Sequence, residues 1–192
     1  MAQRSAELIT QPAEEPVTLA EFKSHAKIED DFSDDILPGF IVAARKAIEK
    51  HTKRSLITQT WSLPLDAWPE VFNGERHRIV NLPHRPIQSV DSVEVDGTAI
   101  TASANWVLRQ ADLIVATSVI TPGEDVSDGV VIEYTAGYGA AADVPEDLKL
   151  AIKMLALHYF TGRGATSPQG IYHQVIPLGV ESILHSYVVM DL

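Results

Sequence analysis

Apolar positions along this chain change period twice, from helical to alternating near Ile57 and back to helical after Pro145. Residues 1–16 show no periodicity and read as a flexible arm ending at Pro16. Thr18 and Glu21 then form the S/T-x-x-E capping box of a helix start, with Val17 and Phe22 placed as a hydrophobic staple. This helix is expected to run to about Lys27. A second begins after the acidic stretch from Glu29 to Asp35, with Ser33 or Asp35 as its cap and Pro38 in its first turn. Ile36, Leu37, Phe40, Ile41, Ala44 and Ile48 give it one apolar face, and it is expected to end near Lys53. From Ile57 the pattern alternates. Ile57, Trp61, Leu63 and Leu65 share one parity and Thr58, Thr60 and Ser62 the other, the mark of a half-buried strand. Further strands follow in ERHRIVNLP, PIQSVDSVEV, NWVLR, ADLIVA and GVVIEYTAG, and Asp96-Gly97 marks a tight hairpin.

Helical spacing returns at Pro145, where Leu148, Ile152, Leu155 and Tyr159 step by four, three and four and Gly162 supplies a stop. Thr161 to Gly170 is rich in Gly, Ser, Thr and Pro and reads as an exposed loop. A last short helix, roughly Leu178 to Tyr187, aligns Val180, Ile183, Leu184 and Tyr187, and Val188, Val189, Met190 and Leu192 continue the apolar character. The fold class is therefore α+β: a helical core built from residues 17–56 and 144–162, an inserted antiparallel β-domain at 57–140, and a loop with a C-terminal segment at 163–192. None of these helices is long enough to be stable alone, so Phe22, Phe40, Ile41, Ile48, Leu148, Ile152 and Leu155 are expected to bury one another.

Composition narrows the function more than the fold. The 192 residues carry 15 Lys and Arg against 26 Asp and Glu, a net charge of −11. That balance supplies no global basic face for nucleic acid. Between Gln110 and Leu148 lie eight acidic residues and no Lys or Arg. The one basic cluster, Arg45, Lys46, Lys50, Lys53 and Arg54, reads as the solvated face and C-terminal end of a helix, with a partner or phosphate contact as the competing reading. No apolar run approaches the ~20 residues of a membrane span, and the amino terminus lacks the apolar core of a signal peptide. Without cysteine there is no disulfide, thiolate chemistry or Cys-ligated zinc.

Motifs for catalysis are missing: no phosphate loop G-x-x-x-x-G-K-[ST], no G-x-S-x-G elbow, no H-E-x-x-H. The acidic stretch fails as a calcium loop, because counting from Asp30 the glycine and glutamate positions hold Asp35 and Ile41. Seven histidines are scattered without ligand spacing, and His158 reads as a packed or hydrogen-bonded residue. Trp61, Trp68 and Trp106 read as core or interface anchors, since no basic residues interleave with them as in a base-stacking platform. Gly137-Tyr138-Gly139 reads as a tight strand-to-helix connection needing positive φ.

Several segments together resemble the tailed-phage head–tail connector (adaptor) family, in the longer form also found in gene transfer agents. They are PVTLAEFKSHAKIEDDFSDD, VAARKAIEKHTKRSLITQTWSLPLDAWP, LPHRPIQSVDSVEVDG, VVIEYTAGYGAAADVPEDLKLAIKMLALHYF and IPLGVESILHSY, in this order from Pro16 to Tyr187. The pairing of Arg54–Trp61 with Tyr134–Gly139 is the most specific part. After Phe160 the chain departs from the family pattern, with Thr161-Gly162-Arg163-Gly164 where a polar pair closing the helix is expected. The resemblance implies a non-enzymatic virion subunit of the neck, assembled in the host cytoplasm, with no cofactor, catalytic group or membrane contact. Its implied partners are the portal protein, neighbouring copies in a ring, commonly of twelve, and a neck or tail-completion protein. DNA is expected to pass through the lumen without specific binding. Val180, Ile183, Leu184, Tyr187, Val188 and Met190 are the expected partner-binding residues, their alternative being to pack on the subunit's own core. Two other readings stay open: a small acidic, hydrolase-like enzyme with a non-motif site, and a different neck or tail-completion protein.

Overall fold

The computed structural model describes residues 5–69, 77–102, 105–123, 128–162 and 176–189. In chain order these form β1 (Glu7–Thr10), α1 (Leu19–Ala26), α2 (Leu37–Thr52), β2 (Gln59–Leu65), β3 (His77–Asn81), β4 (Ile87–Val95), β5 (Thr98–Ala99), β6 (Trp106–Arg109), β7 (Asp112–Ala116), β8 (Val130–Ala136), a 3-10 turn (Ala141–Asp143), α3 (Glu146–Thr161) and α4 (Leu178–Leu184). The mixed α+β class expected from the pattern is what the chain adopts. It divides into two compact units, Ala13–Ile57 with Tyr138–Leu192 and Met1–Pro12 with Thr58–Gly137.

The first unit is helical, and both ends of the chain build its core. Phe22 of α1, Leu37, Ile41, Ala44 and Ile48 of α2, Leu148, Ala151, Ile152 and Leu155 of α3, and Val180 and Leu184 of α4 are buried together. Phe40 is partly buried and meets Phe160 edge to face at 5.9 Å. Thr18 caps α1 as its sequence requires. Its hydroxyl oxygen accepts the Glu21 N–H, and the Glu21 carboxylate accepts the Thr18 N–H at 2.7 Å. That bond to the Thr18 backbone holds the Glu21 carboxyl below the usual carboxylate range. The cap expected for α2 is not formed. Ile36 occupies the cap position without a side-chain hydrogen bond. Ser33 and Asp35 fall short of it because the chain is already turned there, the Ser33 carbonyl accepting the Ile36 and Leu37 N–H groups at 3.0 and 3.1 Å. The neighbouring Asp31 and Asp34 pair with the Lys23 amine at 2.6 and 2.8 Å. Pro38 lies in the first turn, where its missing N–H costs nothing. Pro145 stands at the cap of α3, and the helix itself begins at Glu146.

In the second unit a five-stranded antiparallel sheet, ordered β1-β2-β8-β4-β5, accompanies a three-stranded one, ordered β3-β7-β6. Period-2 alternation sends Leu63, Leu65, Val93, Val95, Val130, Ile132 and Tyr134 of the larger sheet into a core shared with Val80, Leu113 and Val115 of the smaller. Trp68 is buried there, its indole N–H donating to the Ile120 carbonyl at 3.0 Å. The β4–β5 turn has positive φ at Asp96 and Gly97, the conformation the Asp-Gly pair selects. Two features depart from the sequence pattern. Residues 7–10, read as part of an arm, pair with the edge of β2, although all four side chains are exposed. Ile57, read as the first inward strand residue, belongs to the helical core, and the strand begins at Gln59.

Candidate interaction surfaces

Among the described residues the chemistry of the interior is structural. Arg45, expected on a solvated helix face, is 3% exposed. Its Nε and Nη2 donate to the two Glu15 carboxylate oxygens at 2.7 and 3.1 Å, and its Nη1 donates to Glu49 at 2.6 Å. Glu49 in turn accepts the Leu56 N–H at 2.9 Å, so one guanidinium ties the segment before α1 and the exit from α2 to the helix. Burial works against the Arg45 charge, but the two carboxylates more than offset it and its pKa lies above the ordinary value. In the β unit His84 stacks flat on Trp61, with ring centroids 3.7 Å apart, and burial pushes its pKa down to about 4. The Tyr134 hydroxyl is buried without a hydrogen-bond partner among the described residues, and burial raises its pKa.

A groove of about 260 Å³ lies among Val17, Leu19, Pro38 and Ile41. Its two carboxylates are already engaged, Glu15 by Arg45 and Glu14 by the Ala141 N–H at 2.7 Å. No group of three His, Asp or Glu suited to a metal is found among the described residues. No helix among them is long and apolar enough to cross a membrane. Gly137 and Gly139 both have positive φ, as a tight connection requires.

Convex features are prominent. Phe32 is 97% exposed at the tip of the acidic loop between α1 and α2. Its N–H is held by the Asp30 carboxylate at 3.1 Å, and the flanking Asp31 and Asp34 are anchored on Lys23. On the outer face of the smaller sheet, Ile79, Ile114 and Val107 stand in one cross-strand row. Ile79 and Val107 are about half exposed, and Asn81, Asp112 and Arg109 form the next row. Along α2 the residues Gly39, Ala43, Lys46 and Lys50 form one exposed face.

The C-terminal residues singled out from the sequence are divided. Val180 and Leu184 are buried in the helical core, and Ile183 and Tyr187 pack partly against it. The segment is pinned by Arg54 Nε donating to the Tyr187 carbonyl at 2.7 Å and by the Val189 N–H donating to the Thr52 carbonyl. Val188 stays exposed, as does Leu178 two residues before Val180, and Met190 lies outside the described residues. Leu178 and Phe32 were not singled out, because an apolar side chain facing water has the same sequence signature as one facing a core.

Comparison with known proteins gives a consistent result. The model of a family described as head completion protein matches residues 15–187. No curated protein sequence matches. A chain in the virion of a native gene transfer agent particle is similar with a TM-score of 0.73 and 25% identity, covering 98% of this chain and 97% of that one. Chains from the neck of an empty particle, computed with C6 symmetry, and from the neck of a native particle, computed with C12 symmetry, share the fold. Each has a TM-score of 0.72 and 23% identity, with the same coverage.

Proposed function

The chain belongs to the head completion protein family, and on that premise we propose that it is a structural, non-enzymatic neck subunit of a tailed phage or gene transfer agent particle. In this reading copies form a ring beneath the portal, extend the DNA channel and present an attachment surface to neck or tail proteins. The observation that carries it is the family match over residues 15–187. The whole-length likeness to a gene transfer agent virion chain supports it, covering 98% of this chain. The physical character of the molecule agrees, with buried charges spent on holding the fold and apolar side chains left on convex surfaces.

A net charge of −11 also suits a DNA conduit. A wall of the same sign as the phosphates makes none of the counterion-releasing contacts behind non-specific binding, so DNA slides past it. For the portal side we propose the C-terminal stretch. Val180 and Leu184 brace it from inside the subunit, and Leu178 and Val188 remain outside as apolar anchors. Electron microscopy of portal-containing heads mixed with the purified chain tests the function. A collar of added density at the portal vertex is the expected result, and heads that stay bare at saturating protein would overturn it. Leu178→Ser with Val188→Ser should leave the melting temperature nearly unchanged and lower collar occupancy.

A further inference from the structure

We propose that neighbouring copies contact each other head to tail, the Phe32 loop of one copy seating on the open face of α2 of the next. This rests on the ring reading above and names its interface. A closed ring needs two different, complementary surfaces on each subunit. The helical unit carries such a pair. One is the loop from Glu29 to Asp35, with Phe32 standing free at its tip and Glu29, Asp30 and Asp35 exposed around it. From Ile28 to Ala44 there is no Lys or Arg. The other surface is the exposed row Gly39, Ala43, Lys46 and Lys50. Its N-terminal half has room for a ring, since a Cβ added at Gly39 meets nothing within 4 Å. Its C-terminal half offers two amines that make no ion pair among the described residues.

The two surfaces cannot satisfy each other within one subunit. Asp35 lies before the first turn of α2 and Lys50 in its last, and from Leu37 to Lys50 the helix rises roughly 20 Å at ~1.5 Å per residue. Subunits of net charge −11 repel one another at long range, so an association between them needs a local meeting of opposite signs. The carboxylates set orientation and register, and the phenyl ring supplies the desolvated anchor.

The absence of cysteine makes the contact testable without background. Asp35→Cys and Lys50→Cys are introduced together, and assembled particles are treated with a bis-maleimide linker far shorter than the distance between these positions in one chain. The expected product is a ladder of covalent multimers, with single-cysteine chains giving none beyond a dimer. Particles that contain the chain but yield only monomer overturn the contact and leave the neck reading standing. Wild-type particles that contain no chain overturn both. Charge reversal gives a second measure. Lys46→Glu with Lys50→Glu should reduce incorporation at least tenfold, and adding Glu29→Lys with Asp35→Lys in the same chain should restore most of it. Loss without restoration would also overturn the proposal.

Discussion

At the scale of single residues, two buried groups make measurable demands. Arg45 faces two carboxylates in a largely dry site, so removing it takes the guanidinium away from both Glu49 and Glu15. Breaking a buried ion pair costs about 3–5 kcal/mol, and Arg45→Ala should fall near 3 because Glu15 keeps some contact with water. Urea denaturation would give the value directly. His84 sets a pH dependence. With its pKa near 4 in the folded protein it stays neutral there, whereas in the unfolded chain it takes up a proton below its ordinary value of about 6.5. The stability it contributes is therefore present above pH 6.5 and is lost as pH falls toward 4, on the order of 2 kcal/mol between pH 7 and 5. His84→Phe keeps a flat ring on Trp61 without a titrating group and should shrink that pH dependence by this amount. Neither role was legible in the sequence. Arg45 sits beside Ala44 in a run of basic residues, and its main partner lies thirty positions away with no local pattern linking the two. The Thr18–Glu21 cap was legible, because both of its members and the helix they serve fall within one turn.

Elements were readable wherever a buried face repeated. The helical steps at Leu148, Ile152 and Leu155, and the alternation at Val130, Ile132 and Tyr134, each report one side packed on a core. Ile152→Ala should cost the helical unit about 2–5 kcal/mol, and Thr18→Ala about 1, both checked by circular-dichroism melts. An unchanged midpoint in the Ile152 variant would contradict the packing described. Where no face is buried, periodicity is silent. β1 exposes all four of its side chains and is held mainly by its backbone bonds to β2, so nothing in its side chains announces a strand. The start of α2 misled for a different reason. Ser33 and Asp35 have the right type for a cap, but the chain is already turned at Ser33, whose carbonyl accepts the Ile36 and Leu37 N–H groups, so Ile36 takes the cap position. Of the C-terminal stripe, the sequence shows that it must be covered. Only the structure shows that Val180 and Leu184 are covered by their own subunit.

At the scale of the whole molecule, the family and the α+β class were both within reach of the sequence, because segment order over most of the chain carries more information than any one motif. The interaction surfaces were not, since exposure is a property of the folded chain. One topological detail reaches further. The chain leaves the helical unit after Ile57 and returns at Tyr138, and these crossing points lie side by side. Gln59 pairs with Ala136 across β2 and β8, and the Tyr138 N–H donates to the Leu56 carbonyl at 3.2 Å. Paired strands hold their backbones about 5 Å apart, a gap that a short turn closes. A chain with residues 58–137 replaced by such a turn should keep its helical circular-dichroism signal and melt cooperatively. Aggregation, or loss of that signal, would mean that the helices depend on what was removed. In evolutionary terms the segment from 58 to 137 is a cassette whose two ends lie together, joined only by β1 from the amino-terminal side. Descendants can resize, exchange or discard it in a single recombination event, leaving the core of the helical unit intact.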